Sequence, residues 1–193
     1  MVAVFDTAFH QTMPEFACRY AIDRSLADKY HARRYGFHGL AHRYMMERYC
    51  FLAQRPPAEV KIITLQLGNG CSATAIMNGK SVDTSMGFTP LEGLIMGTRS
   101  GDVDPSLAAF LAEKEKVEAK TAVDWLNTRS GLLGMSGLSS DMRELLASKK
   151  KGDRRPARAI EMFSYRIKKY VGSYMAALGG ASASALISPP RRR

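Results

Sequence analysis

The sequence predicts an α/β fold, and three observations carry that prediction. Residues 60–67 are apolar nearly throughout, as in a sheet strand covered on both faces. Two more strand patterns follow at once, 71–77, which alternates, and 80–85, separated by Asn78-Gly79, the pair preferred in a two-residue hairpin turn. Beyond them the apolar spacing changes from two to three and four, and the rest of the chain reads as helices.

Taken in order, residues 2–5 (VAVF) predict a short buried strand ending at Asp6-Thr7. Residues 14–31 predict helix, with Phe16, Tyr20 and Leu26 as a partial apolar stripe. Gly36-Phe37-His38-Gly39 breaks the chain, and 41–52 resumes as helix until Arg55-Pro56-Pro57 stops it. After the three strands, a Gly/Pro-rich loop spans 87–105. Asp104-Pro105 is a helix start, with Asp as N-cap and Pro in the first turn. Helices are predicted over 106–117 and 121–127, and Asp141 with Glu144 resembles a capping box opening another. The last helix, about 156–178, places Ile160, Phe163, Ile167, Val171, Met175 and Leu178 at steps of three and four.

The net charge of +10 is local. Residues 1–148 balance at 16 basic and 16 acidic, whereas 149–193 carry 12 basic and 2 acidic. KKKGDRR (149–155) has no stacking aromatics beside it, so it reads as a solvated stretch and not a nucleic-acid surface. Cys18, Cys50 and Cys71 are odd in number and far apart, which fits a reducing compartment rather than a disulfide framework. The N-terminus shows no signal-peptide pattern, and the uncharged run 170–190 is too diluted by Gly and Ser to predict a membrane span.

Several motif-like features fail on inspection. Gly79-Lys80-Ser81 lacks the glycine five residues earlier that a phosphate-binding P-loop needs, and it follows a hairpin turn. His38 and His42 have zinc-like spacing but no adjacent Glu. Asp102-Val103-Asp104 lacks the glycine and closing glutamate of a calcium loop. What survives is Gly68-Asn69-Gly70, which interrupts a good strand run where backbone N–H groups could meet a phosphate. Beside it stands Arg99 in Gly97-Thr98-Arg99-Ser100-Gly101, expected to be a flexible loop that lets a guanidinium reach across a cleft. Together they point to phosphoryl chemistry, which needs donors arranged around equatorial oxygens.

The motifs VFDTAFHQTMP, RRYGFHG, LGNG, NGKSVDTSMGFTPLEGLIMGTRSGDVDP and SGLSSDMREL resemble the central part of the acetate and propionate kinase family, over residues 2 to about 179. The resemblance implies an actin-like, sugar-kinase superfamily fold, incomplete here, with the end of a first domain at 1–57 and most of a nucleotide-binding second domain at 58–179. Residues 180–193, ASASALISPPRRR with what precedes them, are expected to be a disordered tail. By the same resemblance the activity is transfer of the ATP γ-phosphate to acetate with Mg²⁺, in the cytoplasm, by a homodimer. The alternatives are propionate as acceptor, or a non-catalytic remnant that acts only as an interaction protein.

Residue by residue, Asp6 matches the family's catalytic aspartate, and His38 and Arg99 match its transition-state stabilisers. Gln66, Leu67, Gly68, Asn69 and Gly70 match the nucleotide phosphate loop. Asp141, Met142 and Arg143 match the stretch that meets the nucleoside. Acetate is already ionised at neutral pH and has no proton to give up, so Asp6 is expected to orient an arginine or hydrated Mg²⁺ rather than act as a base. The sequence departs from the family at Gln66, where the family has histidine. The family's metal-contacting positions and its carboxylate-holding arginine have no counterpart in these 193 residues.

Overall fold

The computed structural model describes residues 3–187 and divides into two compact units. Among the described residues the first comprises 3–67, 72–90 and 169–187; the second comprises 68–71 and 91–168. This division does not follow the family-based boundary at residue 57, which concerns the architecture of a longer kinase.

In the first unit, a 3-10 turn (Ala8–Thr12) leads to two short helices, α1 (Glu15–Cys18) and α2 (Arg24–Lys29). Helix α3 (Gly39–Ala53) follows. Strands β1 (Lys61–Leu67), β2 (Cys71–Met77) and β3 (Lys80–Thr84) then build the sheet, and β4 (Ala183–Ile187) joins it from far along the chain, in the order β3-β2-β1-β4. Strands β2 and β3 pair antiparallel through the Asn78-Gly79 turn, both of whose residues have positive φ (53° and 76°), the geometry that matches hairpin twist. The register slips between Ala75 and Ile76, leaving Val82 as a bulge. Strands β1 and β4 pair in parallel, Ile62 opposite Ala183 through Gln66 opposite Ile187. Helix α3 lies on the sheet, burying Met46 and Cys50 against Val60, Ile62 and Ile76, with Phe9 and Tyr49 at the margin.

The second unit holds the loop 91–104, α4 (Pro105–Glu115), α5 (Ala119–Thr128), α6 (Gly131–Ser136), α7 (Met142–Lys150) and the first part of α8 (Arg154–Ala177). Helices α4 and α5 pack together, and Leu132, Leu145 and Ala159 form a core flanked by Met135, Met142, Ile160 and Phe163.

Five expectations need correction. Of the strand expected over 2–5, residue 2 lies outside the described residues and 3–5 are not a strand: they have no ladder partner among the described residues, and Val4 and Phe5 are 65% and 70% exposed. A strand is stabilised by pairing, which apolar composition alone does not supply. The stretch 14–31 is two short helices separated by irregular chain, because its apolar stripe is too sparse to bury a continuous face: Phe16 and Leu26 are both exposed. The tail expected to be disordered contains β4 over 183–187, while 188–193 lie outside the described residues. Strand β2 does not alternate between core and solvent, since Cys71 to Ile76 are all buried. Its polar residues Ser72 and Thr74 are inside with hydrogen-bond partners, which removes the penalty of burying them. Lastly, Asp141 caps α7 by accepting from Arg143 N–H at 2.8 Å, and its own N–H goes to Ser139, so the cap is real but not a reciprocal box with Glu144.

Candidate active site

In the first unit the structure brings Asp6 and His38 together. His38 precedes α3 with φ 58° and ψ 25°, a left-handed conformation costly for any residue with a side chain. The peptide group joining Phe37 to His38 is held at both ends. Its N–H donates to the Asp6 carboxylate at 2.5 Å, and its carbonyl accepts from His10 Nε2 at 2.9 Å. The next N–H, of Gly39, donates to the Asp6 main-chain carbonyl at 2.9 Å. Asp6 thus caps α3 from a distance, satisfying two N–H groups that the helix itself leaves open. Gly39 permits this approach, since a Cβ there would lie 2.2 Å from the Asp6 carbonyl oxygen.

The His38 side chain is fixed as well. Its Nδ1 lies 2.8 Å from Ser72 Oγ on β2. The same hydroxyl lies 2.7 Å from His42 Nε2, and His42 Nδ1 is 2.7 Å from Thr64 Oγ1 on β1. The i, i+4 pair that resembled zinc ligands is therefore joined through a serine hydroxyl. His42 is fully buried, and burial drives its pKa well below the usual imidazole value, assisted by the neighbouring His10 and His38. His10 is also fully buried and shifted down by desolvation, with the Phe37 carbonyl and Asp6 opposing. A carbonyl only accepts, so His10 carries its proton on Nε2, and its Nδ1 accepts from Ser81 Oγ at 2.9 Å.

In the second unit, the loop carrying Arg99 is pinned, contrary to the expectation of flexibility. Asp102 accepts from Gly93 N–H at 2.7 Å, and Arg166 reaches the Gly93 carbonyl at 2.9 Å and Asp102 at 3.4 Å, closing the base of the loop. Along it, Met96 N–H donates to Arg99 O, Ser100 N–H to Leu126 O, and Ser130 N–H to Thr98 O, all at 2.9–3.0 Å. Its glycines serve close approach of backbone. At Gly101 a Cβ would lie 2.4 Å from the carbonyl oxygens of Gly93 and Leu94. Gly97 performs the same service for the Gly68-Asn69-Gly70 turn: its N–H donates to Asn69 O at 2.9 Å, and a Cβ would collide with the Asn69 side chain. Within that turn Gly68 N–H donates to Gly70 O at 3.1 Å. Cys71 is buried, and burial pushes its thiol up to about 12, with Arg99 pulling the other way.

Gln66 stands at the end of β1, one residue before Leu67 and the glycine turn. Its side-chain Oε1 is buried with no hydrogen-bond partner, an arrangement that proteins rarely tolerate without a ligand or ordered water. Asp141 binds Arg143 through side chain as well as backbone, and that guanidinium holds its carboxyl down at about 2. Met142 opens α7 and packs against the Leu132–Leu145–Ala159 core.

Sequence reasoning missed His10, Thr64, Ser72 and Ser81, and set His42 aside with the zinc pattern. The available signal was polar residues in otherwise buried strands: Thr64 in KIITLQL and Ser72 in CSATAIM. A buried hydroxyl requires a partner, and histidine is one residue able to donate to it or accept from it.

The profile of the acetokinase family matches residues 1–187. An acetate kinase of Thermoanaerobacterium thermosaccharolyticum is 55% identical over 181 residues, covering 93% of this chain and 45% of its own length. That of Methanosarcina thermophila is 52% identical over 183 residues, covering 95% and 45%. Among solved structures, Porphyromonas gingivalis acetate kinase superposes with a TM-score of 0.92 at 51% identity, over 94% of this chain and 45% of that one. A Francisella tularensis propionate kinase gives 0.89 at 46% identity, over 94% and 46%. Fold and sequence thus define a class, the α/β architecture found in acetate and propionate kinases. The chain belongs to the acetokinase family, and it spans less than half the length of the relatives it matches.

Proposed function

We propose that this chain contributes to transfer of the γ-phosphoryl group of ATP to acetate, giving acetyl phosphate and ADP. The observation that carries this reading is the doubly held 37–38 peptide, which maintains His38 in a left-handed conformation at the N-terminus of α3. In the reaction an ionised carboxylate oxygen attacks phosphorus and the bond to the β-phosphate oxygen breaks, so no general base is needed. His38 and Arg99 are assigned as donors to the transferring group. Asp6 is assigned a positioning role through His38, since its carboxylate is engaged by the His38 N–H. Gln66 with the glycine turn is assigned to the nucleotide phosphates, where its orphaned buried amide would find a partner. Asp141, Met142 and Arg143 are assigned to the nucleoside.

Among the described residues no group of three or more His, Cys, Asp or Glu could hold a metal. Mg²⁺ is expected from the family resemblance and would arrive with the nucleotide phosphates. Three free, buried cysteines suit the reducing cytoplasm that the family resemblance implies, and homodimerisation rests on that resemblance alone. No helix among the described residues is long and apolar enough to cross a membrane.

The test is a chimera in which residues 3–187 replace the matching segment of P. gingivalis acetate kinase, assayed for ATP-dependent acetyl phosphate. Turnover is expected, with His38→Ala and Arg99→Ala each lowering kcat by roughly a hundred- to a thousand-fold. A folded chimera without turnover, or variants with unchanged kcat, would overturn the reading. The propionate kinase neighbour supports propionate as a second acceptor, and the ratio of kcat/KM for the two acids in the chimera separates them.

A further inference from the structure

His38, Ser72, His42 and Thr64 form one continuous line of hydrogen bonds, at 2.8, 2.7 and 2.7 Å, running from the α3 N-terminus into the interior of the first unit. A serine hydroxyl has one proton, so Ser72 donates to one imidazole and accepts from the other. Two proton orders satisfy that rule, and each gives both histidines the same tautomer. In one order both carry hydrogen on Nδ1, and in the other both carry it on Nε2.

The inner end of the line decides between them. If His42 Nδ1 carried the proton, it would donate to Thr64 Oγ1. Among the described residues the Thr64 hydroxyl would then have only the Thr74 carbonyl, 3.5 Å away and beyond the normal O–H···O range, for its own proton. Thr64 is fully buried, and a buried donor without an acceptor is costly. The other order leaves no such orphan. Thr64 donates to His42 Nδ1, His42 Nε2–H donates to Ser72, and Ser72 donates to His38 Nδ1.

We propose that Ser72, His42 and Thr64 are positioning residues whose proton order holds neutral His38 as the Nε2–H tautomer, so that it donates a hydrogen bond to a phosphoryl oxygen without first acquiring a charge. The functional half of this statement rests on the phosphoryl-transfer reading; the tautomer order does not. A buried, uncharged His42 is well suited to the task, because it does not take up a proton that would reverse the line.

Long-range ¹H–¹⁵N correlation spectra of the ¹⁵N-labelled 193-residue chain report which ring nitrogen carries hydrogen in each histidine. At mildly alkaline pH, His38 and His42 are expected to show the Nε2–H pattern alone. Thr64→Val keeps the shape of the side chain but removes the inner donor, and should convert His38 partly or wholly to Nδ1–H although the two residues do not touch. Ser72→Ala should uncouple the rings and leave His38 a mixture, while Ser72→Thr should restore the native pattern. His38 found as Nδ1–H in the native chain, or unmoved by Thr64→Val, would overturn the proposal even if Ser72→Ala does not fold. ATP added to the native sample tests the other reading separately: spectra unchanged by ATP would count against the phosphoryl-transfer assignment and leave the tautomer order standing.

Discussion

Gly36 has φ +74°, and a Cβ there would lie 2.6–2.8 Å from the Thr84 methyl and the His10 ring. Gly36→Ala should therefore destabilise the fold by more than about 1 kcal/mol, read as a lower urea midpoint, because backbone and packing both oppose it. A second residue-scale prediction concerns His10 and His42, which burial keeps neutral in the folded chain below the ordinary value of 6.5. Above that pH both states are neutral at these sites, and stability does not depend on them. Below it the unfolded chain takes up protons that the folded chain refuses, so stability falls as pH drops. The urea midpoint should decrease between about pH 7.5 and about pH 5.5; a flat profile would mean the pair is charged in the native state. Gln66 gives a third test. Gln66→His in the chimera should tighten ATP binding toward acid pH, because a hydrogen bond to a charged donor is worth roughly 1.5–3 kcal/mol against roughly 0.5–1.5 for a neutral one. Equal affinity and equal pH dependence for Gln and His would show the substitution to be silent.

At the scale of elements, the N-terminus of α3 depends on a residue thirty-two positions upstream. Asp6→Asn keeps an oxygen that can accept from His38 N–H, whereas Asp6→Ala removes it. The alanine variant should lose roughly 0.5–2 kcal/mol of stability and the asparagine variant much less, as for other helix caps. Equal losses would show that the carboxylate charge, and not the cap, matters. The strands β1 to β3 were legible in sequence because their signals are local: an apolar run, a polar–apolar pattern and an Asn-Gly turn. Strand β4 was not, because ASALI is weak in strand-forming residues and is ordered by its partner β1. Residues 3–5 show the reverse failure, good strand composition with no ladder partner among the described residues. For the site, the motif-borne residues Asp6, His38, Gln66 and Arg99 stood out beside glycines or in family-like stretches. The line behind His38 did not, since a serine in one strand and a threonine in another have no sequence relation to each other. The GTRSG stretch misled because glycine signals both flexibility and tight backbone approach, and here the latter holds.

For the whole molecule, the excess positive charge lies in the C-terminal stretch, while residues 1–148 are balanced. Lys149, Lys150, Lys151, Arg154 and Arg155 are exposed on the end of α7 and the start of α8. Assayed alone, the 193-residue chain supplies the donors assigned to the phosphoryl group, but it spans only 45% of the P. gingivalis acetate kinase that completes the chimera. Its turnover of acetate and ATP should lie several powers of ten below that of the chimera, since each missing electrostatic contact costs about 2.7–4 kcal/mol. Comparable rates from the two, in preparations free of host kinase, would refute that expectation.

The pairing of β1 with β4 also imposes an order in time. The hairpin of β2 and β3 closes over two residues, and β1 is only three residues from β2, so that part of the sheet can assemble early. Strand β4 meets β1 across more than about a hundred residues of intervening chain, and contacts of such separation form slowly. Of the described strands it is also the last to leave the ribosome. During that interval β1 presents an unpaired row of backbone groups, a template on which a second nascent chain could dock. Refolding yield should therefore fall steeply with protein concentration. Pulsed hydrogen exchange should find the amides shared by β2 and β3 protected before those shared by β1 and β4.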